Sequence, residues 1–339
     1  MKQPVKNIDL ERDIFAARDS NFNELALAVF HFQYEHNTIY RKYCDLLHTS
    51  PAAINSIEKI PFLPISFFKT HSVISTSFEA EAVFESSGTS GMESSRHHVK
   101  KTALYEKSFI KGFEHFYGAP SGKCILGLLP SYLERGHSSL VYMVNKLAGM
   151  SQHKLSGFYL DDFEKLRTTI LHNEILKQPT LLIGVTYALL DFAEQNPMQL
   201  RHTIIMETGG MKGRREEITR RQVHGMLQQQ LGTGLVHSEY GMTELLSQAY
   251  SKGDGIFHCS PWMKILIRDE DDPFAVKQAG DNMNKQQQTG CINIIDLANI
   301  YSCSFIATED TGRLFSDGSF EVLGRMDNSD ARGCSLMAV

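Results

Sequence analysis

The stretch Ser86-Ser87-Gly88-Thr89-Ser90-Gly91 decides how this chain is interpreted, and it follows a short apolar run, Ala82-Val83-Phe84. That run predicts a strand, and the two glycines with hydroxyl residues between them predict a tight turn after it. In such a turn the backbone N–H and side-chain O–H groups converge, so they can bind phosphate through many partial charges. Turns of this composition are also common on protein surfaces, and motifs further along the chain decide between the two interpretations.

Three later motifs occur in a fixed order: Ser238-Glu239-Tyr240-Gly241-Met242-Thr243-Glu244, then Thr308-Glu309-Asp310-Thr311-Gly312, then Gly324-Arg325. With the glycine loop, this series resembles the adenylate-forming enzymes, which join a carboxylic acid to AMP with the use of ATP. The segment Arg332-Gly333-Cys334 near the end of the sequence makes the chain similar to the LuxE-type acyl-protein synthetases of bacterial fatty acid reductase complexes, which are related to phenylacetate-CoA ligases.

The resemblance implies an α/β fold: a large adenylate-forming N-terminal domain of layered sheets and helices, followed by a β-rich C-terminal part. It also implies how the phosphates of ATP are held. The loop Ser86–Gly91 would hold the β and γ phosphates, with Thr89 and Ser90 in direct contact. Thr243 would contact the α-phosphate, and Glu244 would bind Mg²⁺, because this hard cation prefers carboxylate oxygen.

The rest of the nucleotide and the acyl group have implied positions as well. The Tyr240 ring would stack on adenine beside Gly209-Gly210, while Gly241 would let the backbone approach the ligand. Asp310 would accept hydrogen bonds from the ribose hydroxyls, and Arg325 would lie near ribose and phosphate. Cys334 would accept the acyl group as a thioester, because a thiolate is the competent nucleophile.

One departure from the family pattern concerns charge in the glycine loop. Many members follow the loop with Pro-Lys, whereas this chain has Glu93-Ser94. One cation is therefore missing. Arg96 is either its replacement or an exposed arginine without that role, and the sequence leaves both alternatives open. Many relatives carry a further C-terminal lid domain of about a hundred residues; the resemblance leads us to expect that this domain is either absent here or replaced by the short tail after Gly324-Arg325, which argues against an ordinary CoA ligase.

Other chemistries are not supported by the sequence. The segment Gly118–Lys123 has three residues between its glycines and is followed by Cys124, so it fails the Walker pattern. The six cysteines form no Cys-x-x-Cys pair, and Cys124 and Cys291 lie in apolar runs where a buried, inert thiol is expected. Neither a Gly-x-Ser-x-Gly elbow nor a His-Glu-x-x-His motif occurs.

Bulk composition is typical of an ordinary globular protein. The chain has 339 residues, 42% of them hydrophobic, and a formal net charge of −5. An acidic balance argues against nucleic-acid binding, which requires a basic face. The sequence has neither a signal peptide pattern nor an apolar stretch of the ~18 residues that a membrane span needs. A reducing, cytoplasmic location is therefore expected.

The pattern of strands and helices predicts three segments. Residues 1–80 are expected to form a helical N-terminal segment, and residues 81–252 an α/β core. Residues 253–339 are expected to form a β-rich subdomain with a short acyl-accepting tail. In the core, strand-like runs such as Thr180–Val185 alternate with helix-like runs, which indicates a largely parallel sheet. The last helix-like run of the core extends from Arg215 to Leu231.

The sequence therefore predicts a ligase that uses ATP and Mg²⁺ to convert a carboxylic acid, most plausibly a fatty acid, to acyl-AMP and then transfers the acyl group to Cys334. An acyl reductase and an acyltransferase are the implied partner proteins. Two alternatives remain open at this stage: an acyl- or aryl-CoA ligase of the phenylacetate type, and a non-catalytic acyl-handling subunit. The acyl chain, the oligomeric state and the pathway are not determined by the sequence.

Overall fold

The computed structural model describes residues 9–86, 94–130, 137–211, 214–280 and 287–326. In these ranges the α-helices are α1 (Leu10–Asp13), α2 (Phe22–His36), α3 (Thr38–Leu46), α4 (Phe67–Thr70), α5 (Thr102–Tyr117), α6 (Ser139–Ser151), α7 (Phe163–Ile175), α8 (Thr186–Gln195) and α9 (Arg220–Leu231). The first eight strands are β1 (Leu63–Pro64), β2 (Ala82–Glu85), β3 (Arg96–Val99), β4 (Cys124–Leu128), β5 (Gly157–Phe158), β6 (Thr180–Val185), β7 (Thr203–Thr208) and β8 (Val236–Tyr240). The remaining strands are β9 (Ala249–Ser251), β10 (Ile256–Cys259), β11 (Met263–Arg268), β12 (Val276–Lys277), β13 (Gln287–Asp296), β14 (Phe305–Phe315) and β15 (Phe320–Arg325).

One large mixed sheet organises the described part of the chain. Its strand order is β12-β11-β13-β14-β15-β10-β9-β8-β7-β6-β4-β5, with β1 paired to β14. The pairs among β4 to β8 are parallel, whereas the pairs from β8 through β15 are antiparallel. Strands β2 and β3 form a separate antiparallel hairpin. The α/β fold with a parallel core and a β-rich later part is therefore confirmed.

Burial along the strands explains this division. Every residue of β4 and β6 is buried, as expected for parallel strands covered by helices on both faces. In β14 buried and half-buried residues alternate from Ile306 onward, as expected for an antiparallel strand with one face on the core. Continuous apolar runs and alternating runs in the sequence thus correspond to the two halves of the sheet.

The sheet is continuous across the limits of the predicted segments. Strand β1, from the first segment, pairs with Ile306 and Ala307 in the third. The limit between residues 252 and 253 falls in the hairpin that joins β9 to β10. The three segments therefore share one sheet, and the division into domains stays a prediction.

The helix predicted from Arg215 begins later, at Arg220, so that boundary was wrong. Thr219 and Gln222 form a capping box, in which each side chain bonds to the backbone N–H of the other residue. Arg215 precedes this cap and pairs with Asp191 and Glu194 of α8. Within the described ranges, each helix is too short or too polar to traverse a bilayer.

Candidate active site

A cavity lies at the edge of the sheet where the parallel strands β7 and β8 end, which is where α/β folds usually bind their ligands. Several sequence-predicted residues line it, namely Ser86, Gly209, Gly241, Thr243, Glu244, Asp310 and Arg325. Gly210 and Tyr240 are buried next to lining residues. Residues 87–91 and Cys334 lie outside the described residues, so their predicted roles stay predictions.

Two described residues on either side of the glycine-rich segment 87–91, Ser86 and Ser95, lie at this cavity. The backbone N–H of Ser95 donates to Ser86 Oγ at 2.8 Å, and the N–H of Ser86 donates to the carbonyl of Ser95 at 3.0 Å. Both serines line the cavity and continue the β2–β3 hairpin. The described residues that flank the predicted phosphate loop are therefore hydrogen-bonded to each other at the cavity.

Asp310 has two partners at one end of the cavity. The Tyr240 hydroxyl donates to Asp310 Oδ2 at 2.8 Å, and Arg325 Nε lies 3.4 Å from Oδ1. Burial raises the pKa of the Asp310 carboxyl, while Arg325 and Tyr240 act to lower it. The Tyr240 ring itself packs against Phe257 and Phe320. Tyr240 thus supports Asp310, and its stacking on adenine stays a prediction.

The glycine pair after β7 has a backbone shape that favours glycine. Gly209 and Gly210 have φ angles of 82° and 76°, a region in which a Cβ atom is strained. The N–H of Gly210 donates to Thr186 Oγ1 at 3.1 Å, and that hydroxyl donates to Glu207 at 3.2 Å. The pair is therefore held by the first turn of α8.

The turn that carries Thr243 and Glu244 is fixed by residues that sequence reasoning missed. His97 Nδ1 lies 2.8 Å from the carbonyl oxygen of Thr243, and Asn299 Nδ2 donates to the carbonyl of Glu244 at 2.8 Å. His97 Nε2 also lies 3.0 Å from Asn299 Oδ1. His97 is on β3, so this contact joins the hairpin of the glycine loop to the Thr243–Glu244 turn.

Asp296 holds the same turn from the other side. Its Oδ2 accepts from the N–H groups of Leu246 at 2.7 Å and Ser247 at 3.0 Å, and its Oδ1 accepts from Ser247 Oγ at 2.5 Å. Asp296 and Asn299 lie about fifty residues from the turn along the chain. They belong to no recognised motif, so a single sequence carries no signal for their role.

Two carboxylates at the ends of β7 and β8 have contrasting surroundings. Glu207 lies 3.7 Å from both Arg220 Nε and His224 Nε2. Burial would raise the pKa of Glu207, but His224 and Arg220 outweigh that effect and lower it. Glu239 accepts a hydrogen bond from Thr208 Oγ1 at 2.6 Å, and burial raises the pKa of its carboxyl to about 7. Sequence reasoning had assigned no role to Glu239, which lines the cavity.

The candidate cation Arg96 is not in the cavity lining. Arg96 is largely exposed and lies 3.6 Å from Glu85 across the β2–β3 hairpin, because its position on β3 points it away from the site. Lys69 of α4 lines the cavity together with Arg325. Lys69 is therefore the better candidate to balance phosphate charge, and the sequence offered no motif that marks it.

A second cavity of about 600 Å³ adjoins the first through Ile65, Thr308 and Glu309. Much of its lining is apolar, with Phe62 and Phe274 among the contributors. None of the predicted site residues that the structure describes lines it. The predicted chemistry thus converges on the first cavity.

Comparison with known proteins gives the class of the fold. O-succinylbenzoate coenzyme A synthetase from Bacillus subtilis, solved with ATP and magnesium ion, superposes with a TM-score of 0.50 and 14% identity over 76% of this chain and 53% of that chain. The chain spans about half the length of such solved structures. The fold is therefore that of the adenylate-forming enzymes.

Sequence comparison narrows the resemblance. The family model "Acyl-protein synthetase, LuxE" matches residues 13–111. The long-chain-fatty-acid–luciferin-component ligase of Aliivibrio fischeri is 22% identical over 93% of this chain and 86% of its own length. The ligase of the same name from Photorhabdus luminescens is 40% identical over 72 residues, which are 21% of this chain and 61% of that protein. The predicted similarity to acyl-protein synthetases and the predicted enzyme class, a ligase, are confirmed.

Proposed function

We propose that this protein is an ATP-dependent acid–thiol ligase that converts a fatty acid to acyl-AMP and then passes the acyl group to a thiol. The observation that carries the proposal is the convergence of Thr243, Glu244, Asp310 and Arg325 on one cavity at the carboxyl ends of the parallel strands. The names of its relatives, both fatty acid ligases, support the choice of substrate.

The first half-reaction needs an acid and ATP held side by side. A carboxylate oxygen attacks the α-phosphorus, the bond to the bridging oxygen breaks, and pyrophosphate leaves. Asp310 accepts hydrogen bonds from the ribose hydroxyls, and the Thr243 hydroxyl donates to an α-phosphate oxygen. Lys69 and Arg325 supply positive charge where two anions approach each other, which stabilises the transition state most in a site sheltered from water.

Glu244 is suited to hold Mg²⁺ beside the phosphates. Its side chain is buried in the cavity lining. In the part of the chain that the structure describes, no group of three or more His, Cys, Asp or Glu could hold a metal by itself. This fits Mg²⁺, which usually takes one or two carboxylates and completes its shell with water and phosphate oxygen. Bound Mg²⁺ would offset the negative charge of the phosphates.

Cys334 is the proposed acceptor in the second half-reaction. Its thiolate attacks the acyl carbon, the bond from that carbon to the phosphate oxygen breaks, and AMP leaves. The cysteines in the described ranges suit this step poorly, because burial raises the pKa of each of them, in Cys44 and Cys259 to about 12. An acyl reductase and an acyltransferase would be the partner proteins that take and supply the acyl group.

The proposal is tested by incubating the protein with ATP, Mg²⁺ and a panel of carboxylic acids. ATP–pyrophosphate exchange reports the first step, and intact-protein mass reports acylation. Glu244→Gln should reduce exchange roughly tenfold to a thousandfold, by analogy with losing one transition-state contact, and raised Mg²⁺ should restore part of it. Glu321→Gln is the matched control, because Glu321 pairs with Arg313 outside the cavity.

The cysteine step has its own variant. Cys334→Ser should leave exchange nearly intact and abolish the hydroxylamine-sensitive mass increase. Persistent labelling of that variant would move the acceptor to another group. Efficient transfer to free CoA without protein labelling would favour the phenylacetate-type ligase. Absence of exchange with every acid would favour the alternative of a non-catalytic acyl-handling subunit.

A further inference from the structure

We call the part of the active-site cavity around Glu239 the Glu239 end. Its walls come from α5, α6 and the ends of β7 and β8, through the lining residues Tyr105, Ser138, Ser139, Leu140, Met143, Thr208, Glu239 and Gln248. Successive side chains of a strand point to opposite faces. Glu239 therefore faces away from Tyr240, whose hydroxyl bonds to Asp310.

The Glu239 carboxyl has fewer hydrogen bonds than a buried carboxylate usually requires. Two carboxylate oxygens offer about four lone-pair sites, and among the described residues only Thr208 donates to them. Two nearby tyrosine hydroxyls do not donate hydrogen bonds to this carboxyl. The Tyr105 hydroxyl donates to the carbonyl of Ser139. The buried Tyr250 hydroxyl, on the residue opposite Glu239 in the sheet, has no hydrogen-bond partner within the described ranges.

A second acceptor lies beside this carboxyl. Gln248 is 5% exposed, and its Oε1 atom has no hydrogen-bond partner in the described ranges. Gly241 separates the two side chains: a Cβ atom there would lie 2.5 Å from Glu239 Oε1 and 3.4 Å from Gln248 Cγ. The missing side chain at Gly241 thus makes room for the Glu239 carboxyl, with Gln248 as its neighbour.

We propose that Glu239 and Gln248 form a polar subsite that binds a hydrogen-bond donor, a hydroxyl or an amine, carried on the acyl part of the acid substrate. This inference rests on the proposed function and adds the substrate class. Among the described residues Gln248 Oε1 has no donor and the Glu239 carboxyl has one, and buried acceptors with too few donors cost free energy. A donor on the substrate removes that cost, whereas a plain hydrocarbon chain leaves it in place.

The apolar members of the Glu239 end are consistent with a substituted acyl chain. Tyr105, Leu140 and Met143 offer hydrocarbon surface next to the two acceptors. Ser138 adds little polarity, because its Oγ caps α6 by accepting from the N–H of Val141 at 3.3 Å. The acceptors therefore stand at one place on an otherwise mixed wall, as a site that recognises a single substituent requires.

The test compares matched pairs of acids in ATP–pyrophosphate exchange with the wild-type protein. Each pair has one carbon chain, with either a hydroxyl or an amine at a given position or hydrogen there. We expect the donor-bearing acid to be preferred in kcat/KM by roughly tenfold to a hundredfold at one position, the range for a hydrogen bond to a charged group. The hydroxyl and amine series show which donor is read.

Variants then tie the preference to Glu239. Glu239→Met should remove most of the preference while leaving the KM for ATP within about twofold, because none of the proposed ATP contacts involves Glu239. Glu239→Gln should keep part of it, since an amide oxygen still accepts. The matched control is Glu106→Gln, a carboxylate of α5 that pairs with Lys146 outside the cavity lining, and its preference should equal that of wild type.

The outcomes separate the two proposals. If exchange with the unsubstituted acid equals or exceeds exchange with the donor-bearing acid at every position, the subsite proposal is overturned. The proposed ligase function is unaffected by that result. An unchanged preference in a folded Glu239→Met protein also overturns it. Absence of exchange with every acid overturns both. Isothermal calorimetry of acid binding without ATP gives a second readout, and a donor-bearing acid should bind more tightly to wild type than to Glu239→Met.

Discussion

Glu207 and Glu239 stand at the ends of neighbouring strands, and their side chains reach opposite faces of the same sheet. Glu207 is level with Ser238 in the β7–β8 pairing, so Glu239, the next residue, points the other way. On the Glu207 face the fold supplies Arg220, His224 and the Thr186 hydroxyl. On the cavity face it supplies the Thr208 hydroxyl alone among the described residues.

The pKa shifts of the two carboxyls follow from this difference. Both are buried, yet the pKa of Glu207 is lowered and that of Glu239 is raised to about 7. Desolvation acts on both groups, and only Glu207 has positive partners that offset it. Neighbouring titratable groups whose pKa values are shifted in opposite directions commonly have different roles. Glu207 is linked to the glycine pair through the Thr186 hydroxyl, whereas Glu239 lines the cavity.

Replacing Glu207 should have the largest effect on stability, because on this face of the sheet the fold supplies the partners of the carboxylate. We expect Glu207→Gln to lower the free energy of unfolding by about 3 kcal/mol at pH 8, because the buried Arg220 loses its counter-charge. The folded pKa is lowered, so the wild type also loses this contribution as pH falls through that pKa. Urea unfolding at pH 8 and pH 4 should show a difference that shrinks in acid. A variant as stable as wild type at pH 8 would contradict the assigned ion pair.

Glu239→Gln should change the free energy of unfolding in the opposite direction. The ordinary pKa of a glutamate is 4.5 and the folded value is about 7, so the folded state holds the proton more tightly than the unfolded state. Wild-type stability therefore falls as pH rises from about 4.5 to about 7. The uncharged variant escapes this loss and should be more stable at pH 8 by up to about 3 kcal/mol, at about 1.4 kcal/mol per pKa unit. Equal stability at about pH 3.5, below both pKa values, is the internal control, and a destabilised variant at pH 8 would count against an uncompensated carboxylate.

Thr208→Val should have the smallest effect, because it removes one hydrogen bond and keeps the side-chain shape. We expect a loss of about 1 kcal/mol at pH 8, with the pKa of Glu239 moving further upward. Thermal unfolding across pH 5 to 8 measures both effects. Thr208→Ser keeps the hydroxyl and should behave like wild type. If Thr208→Val is silent, Glu239 has a donor that the described residues do not include.

The sequence predicted the parallel core well, for a simple physical reason. Strand β6 was expected at Thr180–Val185 and is found there, because a buried parallel strand is a continuous apolar run. The start of α9 was missed because charged residues from Arg215 to Glu217 suit a helix start as well as a loop. The capping box at Thr219 decided that boundary.

For the site, local motifs pointed to residues that line one cavity, whose roles stay predictions, and long-range contacts could not be predicted. Asp310 and Arg325 were recognised because each lies in a short recognisable pattern. The contact of His97 with Thr243 joins residues 146 positions apart, and no local pattern records such a contact. Of the two alternatives for Arg96, the structure favours an exposed arginine, since strand alternation points it outward to Glu85.

By itself, the sequence determined the class of the enzyme and the order of its motifs, because each motif depends on neighbours a few residues away. Only the tertiary structure decided which carboxylate has positive partners within the fold and which one lines the cavity. Glu207 and Glu239 are the same residue type in similar strands, and only their partners from α8, α9 and the neighbouring strand distinguish them. The charge state of a buried carboxyl is set by groups distant in the chain, since desolvation and its compensation act through space.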